Sequence, residues 1–151
     1  VPAAGEEASG EDVPCLGGSC ASHGALLQAF VDGELADWRA YQHLARRASG
    51  IPARTLAAMA ADERRHAKRL STAYFLISGI RYWPADKAAQ PARGSLPGEL
   101  RAHFLTEQRG ESAYRAAAED TADPCLRQLY LELADEENAH AWTIRGILEQ
   151  M

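Results

Sequence analysis

The sequence predicts an all-α protein, a four-helix bundle with one long crossover between the second and third helices. Apolar residues recur at the three- and four-residue spacing of a helix in four segments, and no segment alternates apolar and polar residues as a strand does. A proline-rich stretch, residues 81–98, divides the four segments into two pairs, and a bundle with a single long connection joins its helices in this way.

The folded domain is predicted at residues 22–151, after a flexible acidic tail at residues 1–21. The tail is rich in Gly, Ala, Ser, Pro and acidic residues and has no apolar period. The first helical pattern begins after Ser22, a predicted N-cap, and ends at Ser49 and Gly50. The chain has 151 residues, 46% of them hydrophobic, which is enough for one domain with a buried core.

The other three helices also have clear limits. The second is predicted over residues 52–78, where Gly79 ends it. Prolines exclude a continuous helix over residues 81–98, and the third helix begins near Pro97. Asp123 is the predicted N-cap of the fourth helix, which runs to the C-terminus. Each helix is roughly 36–42 Å long at 1.5 Å per residue, which is enough to bury a site midway.

The charge of the chain argues against several classes of partner. Its formal net charge is -5, whereas nucleic acid and anionic membranes attract clusters of Lys and Arg. No apolar run approaches the roughly 18 residues that span a bilayer. We therefore expect neither a nucleic-acid nor a membrane partner, and we expect a cytoplasmic location. The numbering begins at Val1 rather than at Met, so the earlier removal of a targeting leader stays an alternative. This leaves the location open.

Three cysteines are too few for a disulfide framework in a chain of this size, and their odd number leaves at least one unpaired. Cys15 and Cys20 either pair with each other, or bind a ligand, or are two thiols in a flexible tail. The third alternative is favoured because no CxxC spacing accompanies them. No role is assigned to Cys125.

Two Glu-x-x-His motifs lie inside the apolar patterns of the second and fourth helices. They are Glu63 with His66 and Glu137 with His140. Residues three apart lie on one face of a helix, about 5–6 Å apart at Cβ, so a carboxylate and an imidazole at this spacing can bind one metal ion. A solvent-facing polar contact is the alternative, and the position of both motifs on the apolar face argues against it.

The two halves of the chain repeat each other. Glu34 precedes Tyr41 by seven residues on the first helix, and Glu107 precedes Tyr114 by seven residues on the third. A Glu-x-x-His motif then follows each of these glutamates after 29 or 30 residues. Each half therefore contributes one helix with a glutamate and one helix with the motif.

Four glutamates and two histidines fall on the helix faces that the apolar pattern turns toward the core. An unpaired carboxylate buried there would cost several kcal/mol through desolvation. Two divalent cations would balance four carboxylates and leave the imidazoles as neutral ligands. The predicted metal ligands are Glu34, Glu63, His66, Glu107, Glu137 and His140.

At these residues the chain resembles the rubrerythrin and ferritin-like di-iron family, over the whole predicted domain. The resemblance implies the ferritin-like bundle, with Glu63 and Glu137 as bridging carboxylates and with Glu34 and Glu107 as mainly terminal ones. It also implies one nitrogen ligand for each metal ion, from the two motif histidines.

The resemblance further implies an oxidoreductase that reduces peroxide or O2, with oxidation of Fe(II) as an accompanying activity and a role in oxidative stress. The expected cofactor is two Fe ions, and Mn or a mixed Fe/Mn pair suits the same ligands. The 151 residues contain no cysteine-rich rubredoxin segment of the kind that rubrerythrins usually carry, so the chain is similar to an erythrin-type bundle. An external electron donor is therefore expected. The expected assembly is a homo-oligomer, with a dimer favoured.

The chain departs from the rubrerythrin pattern on the third helix. Rubrerythrins usually carry a further glutamate one turn beyond the ligand of this helix, where Gly110 stands here. Glu111 follows on the same face, and it either replaces that carboxylate in part or is a surface glutamate. Tyr41 and Tyr114 either hydrogen-bond to the ligand carboxylates or are ordinary buried tyrosines.

Several polar side chains outside the repeat are predicted to be surface groups. His23, His43 and His103 have no glutamate three residues earlier, so we expect them at the surface rather than at the metal. Four cations of the second helix are expected on its solvated face, balanced by acids elsewhere rather than built to bind phosphate. The four are Arg64, Arg65, Lys68 and Arg69.

Two other functions fit the same sequence. An iron-binding or storage protein would load metal at the same centre and would assemble into a large hollow oligomer, whereas a dimer favours the enzyme. A metal-free structural bundle would purify without metal and would not lose stability on chelation.

Overall fold

The computed structural model describes residues 13–86 and 94–151. Within these residues the chain forms helices and no strand, which confirms the predicted all-α fold. A short 3-10 turn precedes four long helices. The elements are the 3-10 turn Gly18–His23, α1 Gly24–Arg47, α2 Gly50–Ser78, α3 Leu96–Glu119 and α4 Pro124–Glu149.

The four helices form two pairs, in which α1 packs along α2 and α3 packs along α4. Only residues 48–49 separate the helices of the first pair, and only residues 120–123 separate those of the second, so each pair is a helical hairpin. The connection between the pairs is much longer, as its prolines predict, and residues 87–93 within it lie outside the described residues. This is the ferritin-like bundle with one long crossover. None of the helices in the described part of the chain is long and apolar enough to span a bilayer.

The helix ends follow local chemistry, with small corrections to the prediction. Asp123 is the N-cap of α4, as predicted, because its Oδ1 accepts hydrogen bonds from the backbone N–H of Cys125 at 3.0 Å and of Leu126 at 2.9 Å. Gly79 ends α2 with a φ of 74°, in the left-handed region. Ser22 is not the N-cap of α1, because the chain is still in the 3-10 turn there. α2 begins two residues earlier than predicted.

Two apolar clusters fill the bundle, one on each side of its middle. Along every helix, the predicted glutamate ligand lies between a residue of the first cluster and a residue of the second. The candidate site is therefore placed mid-bundle, with apolar packing on both sides. The flanking residues are Val31 and Tyr41 on α1, Ala67 and Ala60 on α2, Tyr114 and Leu100 on α3, and Ala134 and Ile144 on α4.

The N-terminal segment corrects the prediction of a flexible tail. Residues 1–12 lie outside the described residues, but two side chains of the segment that follows, Leu16 and Cys20, pack against the bundle. Cys20 is fully buried and Leu16 packs against the first apolar cluster. The backbone N–H of Leu16 also donates to Asp123 Oδ2 at 2.8 Å. A composition rich in small and polar residues concealed these two anchors.

A disulfide joins Cys15 to Cys125 at the start of α4, and Cys20 is the unpaired cysteine. The expectation of at least one free thiol is confirmed. A bond between Cys15 and Cys20, and two free thiols in the tail, are both wrong. Disulfides persist mainly in oxidising compartments, so this bond argues against the expected cytoplasmic location.

Removal of the disulfide is expected to destabilise the protein. The bond joins residues that are 110 positions apart in the sequence. The double variant Cys15→Ser/Cys125→Ser should lower the free energy of unfolding by about 2–4 kcal/mol, because the unfolded chain regains the entropy that a cross-link removes. Equilibrium unfolding in urea measures the difference.

Thiol titration of the denatured parent protein is the control for this experiment. It should find one reactive thiol before reduction and three after it. A double variant with the same free energy of unfolding as the oxidised parent would show that the bond does not stabilise the fold.

Candidate metal centre

Each of the four helices brings one glutamate to the middle of the bundle, and α2 and α4 each add a histidine. All six side chains are buried, with no more than 5% of any of these residues exposed. The structure thus brings every predicted ligand together, in two groups whose ligand atoms all lie within 4.8 Å of one another. The first group is Glu34, Glu63, His66 and Glu137, and the second is Glu63, Glu107, Glu137 and His140.

Glu63 and Glu137 belong to both groups, which is the position that bridging carboxylates need. Each group adds one glutamate and one histidine of its own, in the position of terminal ligands. The division into bridging and terminal roles stays a prediction, and the geometry suits it.

Both imidazole rings turn Nδ1 toward the carboxylates. His66 Nδ1 lies 3.3 Å from Glu63 Oε1 and 3.5 Å from Glu34 Oε2. His140 Nδ1 lies 3.0 Å from Glu63 Oε1 and 3.5 Å from Glu107 Oε1. The two rings stack with 5.9 Å between their centroids. Each ring therefore presents one nitrogen to its own group of carboxylates.

The outer nitrogen of each ring meets an acid from the other Glu-x-x-His motif. His140 Nε2 forms a hydrogen bond of 2.9 Å with Asp62 Oδ2, and His66 Nε2 lies 3.2 Å from Glu136 Oε1. Asp62 and Glu136 each stand directly before the glutamate of their own motif. Outer partners of this kind fix the orientation and tautomer of a ring and keep its other nitrogen available to a metal ion.

Sequence reasoning missed Asp62 and Glu136. A signal was present, because an acid precedes both Glu-x-x-His motifs and extends the repeat by one residue. The role of these acids was not readable from that signal, since each contacts a histidine on a different helix.

The two tyrosines of the internal repeat each hydrogen-bond to a glutamate that belongs to only one of the two ligand groups. Tyr41 donates to Glu107 Oε1 at 2.6 Å, and Tyr114 donates to Glu34 Oε1 at 2.5 Å. Burial and the neighbouring carboxylates raise the pKa of both tyrosines, so both remain hydrogen-bond donors. Each bond fixes one carboxylate oxygen and leaves the second oxygen of the same glutamate without a hydrogen bond.

Metal ligation would satisfy polar atoms that the protein leaves without a hydrogen bond. A buried polar atom without a partner costs about 1–3 kcal/mol, and native proteins contain few of them. Among the described residues, seven of the eight such side-chain atoms belong to the predicted ligands; His66 Nε2 lies beside Glu136, and the other six are available to a pair of cations, so the residues fit such a pair. The seven are Glu34 Oε2, both oxygens of Glu63, both ring nitrogens of His66, Glu107 Oε2 and His140 Nδ1.

One more carboxylate, that of Asp37, stands beside the centre, and sequence reasoning also missed it. Asp37 lies one turn after Glu34 on α1 and lines a cavity of about 290 Å³ together with Glu34, Gly110 and Glu137. Burial and the charge of Glu63 raise the pKa of Asp37, which favours its protonated form. The available signal was its position three residues after a ligand, the position that Gly110 occupies on α3.

Glu111 is held away from the centre. Its Oε2 accepts hydrogen bonds from Arg115 Nη2 at 2.7 Å and from Arg115 Nε at 3.0 Å. Glu111 belongs to neither candidate group. Of the two alternatives for Glu111, this contact supports the surface glutamate, because an arginine one turn further along binds its carboxylate.

Two of the three remaining histidines are not the surface groups that were expected. His23 is 4% exposed, and its Nδ1 lies 2.9 Å from Tyr130 Oη. The ring of His103 packs 4.9 Å from that of Tyr41, and burial lowers its pKa. Neither belongs to a candidate metal group. Their partners are tyrosines on other helices, which the sequence does not reveal.

The centre holds protons when no metal ion is bound. Burial lowers the pKa of the two ligand histidines, but the carboxylates around them more than reverse this effect. The pKa of His66 rises to about 10 and that of His140 to about 11. Burial raises the pKa of Glu63 to about 7 and also raises the pKa of Glu137. Metal ions bind neutral imidazole and ionised carboxylate, so their binding must displace these protons.

Part of the chain matches the model of a known protein family. Residues 25–78, which cover almost all of α1 and α2, match the family model Rubrerythrin. This segment contains Glu34, Glu63 and His66. The match confirms the predicted resemblance to the rubrerythrin and ferritin-like family. No curated protein and no solved structure matches the chain.

Metal loading is expected to release protons. At pH 7, two divalent ions should displace at least two protons per chain, one from each ligand histidine, because the pKa of each ring lies well above 7 and ligands must be deprotonated. A pH indicator in weakly buffered solution measures the release. The apparent affinity should fall as the pH is lowered, since protons then compete more strongly. Full metal binding without proton release would point to different ligands.

Removal of an outer acid is expected to weaken metal binding without removing a ligand. Asp62→Ala should lower the affinity about 10–100-fold, because His140 loses the partner that orients its ring. Competition with a chelator of known affinity measures this change. Asp135→Ala is the matched control, since it removes an exposed acid whose contact is with Arg115. Equal affinity in the two variants would contradict the role of Asp62.

Proposed function

We propose that this protein, whose first helix pair matches the rubrerythrins, is a di-iron oxidoreductase that reduces peroxide or O2. The observation that carries the proposal is the pair of buried groups that share Glu63 and Glu137 and have one histidine each. Two groups joined by shared carboxylates suit two metal ions held close together. These residues would hold the pair, and the pair would supply redox chemistry toward the oxidant.

The ligand types favour iron or manganese. Carboxylate and imidazole ligands suit these ions, whereas structural zinc sites are mostly built from thiolates and imidazoles. The four glutamates carry four negative charges, which two divalent ions balance. The neutral histidines then complete the site without adding charge.

Two ferrous ions, when bound, supply one electron each to the oxidant. Reduction of one hydrogen peroxide to two water molecules takes two electrons and two protons, so the chain must also deliver protons to the site. The cavity between α1 and α3 reaches Glu34 and Glu137, and burial raises the pKa of the Asp37 carboxyl in the same cavity, which favours its protonated form. Asp37 is therefore placed to act as a general acid toward an oxidant that enters there.

The remaining residues keep the ligands fixed while the oxidant changes. Tyr41 and Tyr114 each hold one oxygen of a terminal glutamate, and Asp62 and Glu136 contact the outer nitrogens of the rings. The apolar clusters on both sides keep bulk water away from the carboxylates. Ligands that are fixed in this way need little rearrangement during the reaction.

The proposal includes an external electron donor, because each turnover removes two electrons from the centre. It also includes a homodimer as the assembly. Particle mass in solution separates this enzyme from a storage protein, which would form a large hollow oligomer.

Anaerobic loading with Fe(II), followed by one equivalent of hydrogen peroxide, tests the proposed reaction. We expect about two iron ions per chain. Both should be oxidised by one peroxide, faster than free Fe(II) at the same pH, and the near-ultraviolet absorbance of ferric iron reports the change.

Two variants make this experiment specific. Glu137→Ala should lose the iron pair, because Glu137 belongs to both groups. Glu119→Ala removes an exposed carboxylate at the end of α3 and should keep both ions. A parent protein that binds no Fe(II) under these conditions, or a bound pair that peroxide and O2 leave ferrous, would sink the proposal.

A further inference from the structure

A basic groove of about 620 Å³ runs along the outer face of the first helix pair. Arg46 of α1 and Arg64, Arg65 and Lys68 of α2 line it, and no acidic residue does. Trp38 forms part of its wall, and its floor consists of alanines of α2. We call this surface the basic groove.

Three of the four cations in the basic groove keep their charge unneutralised. Arg65 is paired, with Glu136 at 2.7 Å and with an aspartate of its own helix. Within residues 13–86 and 94–151, no carboxylate oxygen lies within 4.0 Å of a nitrogen of Arg46, Arg64 or Lys68. The expectation that acids balance the cations of α2 therefore holds for Arg65 and Arg69, but not for Arg64 and Lys68.

Aromatic rings hold two of these cations in place. Lys68 Nζ lies 4.1 Å from the ring centre of Trp83, and Arg64 lies 5.7 Å from the same ring. Arg64 also lies 5.5 Å from the ring of Trp38. Cation–π contacts position a charge without cancelling it, so the basic groove presents ordered positive charge to solvent.

The basic groove belongs to the positive half of an acidic chain. Residues 24–78 contain eight Arg or Lys and five Asp or Glu, and three of those five acids line the metal centre or its cavity. Residues 96–149 contain five Arg or Lys and eleven Asp or Glu. The electric field that this uneven distribution of charge produces orients an acidic partner toward the first helix pair.

The basic groove lies directly outside the candidate metal centre. Ala60 of its floor and Arg64 of its wall flank Glu63 on α2, and Trp38 lies one turn after Glu34 on α1. Trp38 also packs against both apolar clusters that enclose the centre. The groove is therefore lined by residues that stand within about one helical turn of two candidate ligands, Glu34 and Glu63.

We propose that the basic groove is the docking site of a small acidic electron-transfer protein that re-reduces the centre; this rests on the proposed function. The reduced partner gives one electron to one ferric ion in each encounter, so two encounters restore two ferrous ions. No covalent bond forms or breaks. The partner leaves oxidised by one electron each time.

The charge of the basic groove favours an acidic electron-transfer protein over two other occupants, a second copy of the chain and nucleic acid. A second copy that used the same face across a two-fold axis would bring like charges together, which is unfavourable. Nucleic acid needs a larger set of cations than the three that are free here, and the rest of the chain would repel its phosphates.

Stopped-flow reduction of the ferric protein tests the proposal, with a reduced acidic [2Fe–2S] ferredoxin as the probe. Arg46→Glu/Lys68→Glu should lower the second-order rate about tenfold or more at low ionic strength and should remove most of its salt dependence. Arg101→Glu/Arg145→Glu makes the same change of charge on exposed residues of the second helix pair and should leave the rate near that of the parent.

An uncharged hydroquinone serves as a second reductant for all three proteins. Its rate should be equal in each, which shows that the centre itself is intact. If the ferredoxin rate does not change in Arg46→Glu/Lys68→Glu, or falls equally in Arg101→Glu/Arg145→Glu, the docking site is wrong while the proposed function stands. If neither reductant reduces the parent, the proposed function fails.

Binding without electron transfer separates the remaining outcomes. Calorimetry with metal-free protein should show ferredoxin binding that Arg46→Glu/Lys68→Glu loses, whatever the fate of the metal chemistry. A parent dimer that this variant splits into monomers would assign the groove to a second copy. Saturable binding of duplex DNA at physiological salt, lost in the same variant, would assign it to nucleic acid. Either result would overturn the proposal.

Discussion

The rest of the structure depends on one constraint. Carboxylates that are buried in the middle of a helical bundle must be neutralised. Glu34, Glu63, Glu107 and Glu137 lie between two apolar clusters, where water cannot screen their charge. The tyrosines donate hydrogen bonds to these carboxylates, and each histidine turns one ring nitrogen toward them. The outer acids contact the other nitrogen of each ring. The length of the helices follows from the same need, because apolar packing must continue on both sides of the centre.

Most of the fold and the six candidate ligands could be predicted because each leaves a pattern along the chain. Apolar periodicity gave the four helices, and the repeated Glu-x-x-His motifs gave the ligands. Contacts between helices leave no such pattern. Asp62 was visible as an acid beside a motif, but its contact with His140 depends on how α2 and α4 pack. Similarly, Glu111 had the right spacing for the site, and only its bond to Arg115 removed it.

The N-terminal segment shows a different limit of the sequence. Its composition is that of a mobile chain, yet a few contacts are enough to fix it. Leu16 and Cys20 bury their side chains, and Cys15 bonds to a cysteine that no spacing rule could have selected. Average composition weighs every residue equally, whereas the free energy of ordering a segment depends on its few anchors.

The supporting hydrogen bonds of the centre cross from one half of the chain to the other. Tyr41 of the first half holds Glu107 of the second, and the reverse contact repeats the arrangement. A single helix pair would lack the partners for its own ligands and could complete them only beside another copy of itself. The chain therefore has the form expected of a duplicated gene whose ancestor worked as a dimer. Within a single chain the two halves can differ, and here one half carries Asp37 where the other carries Gly110.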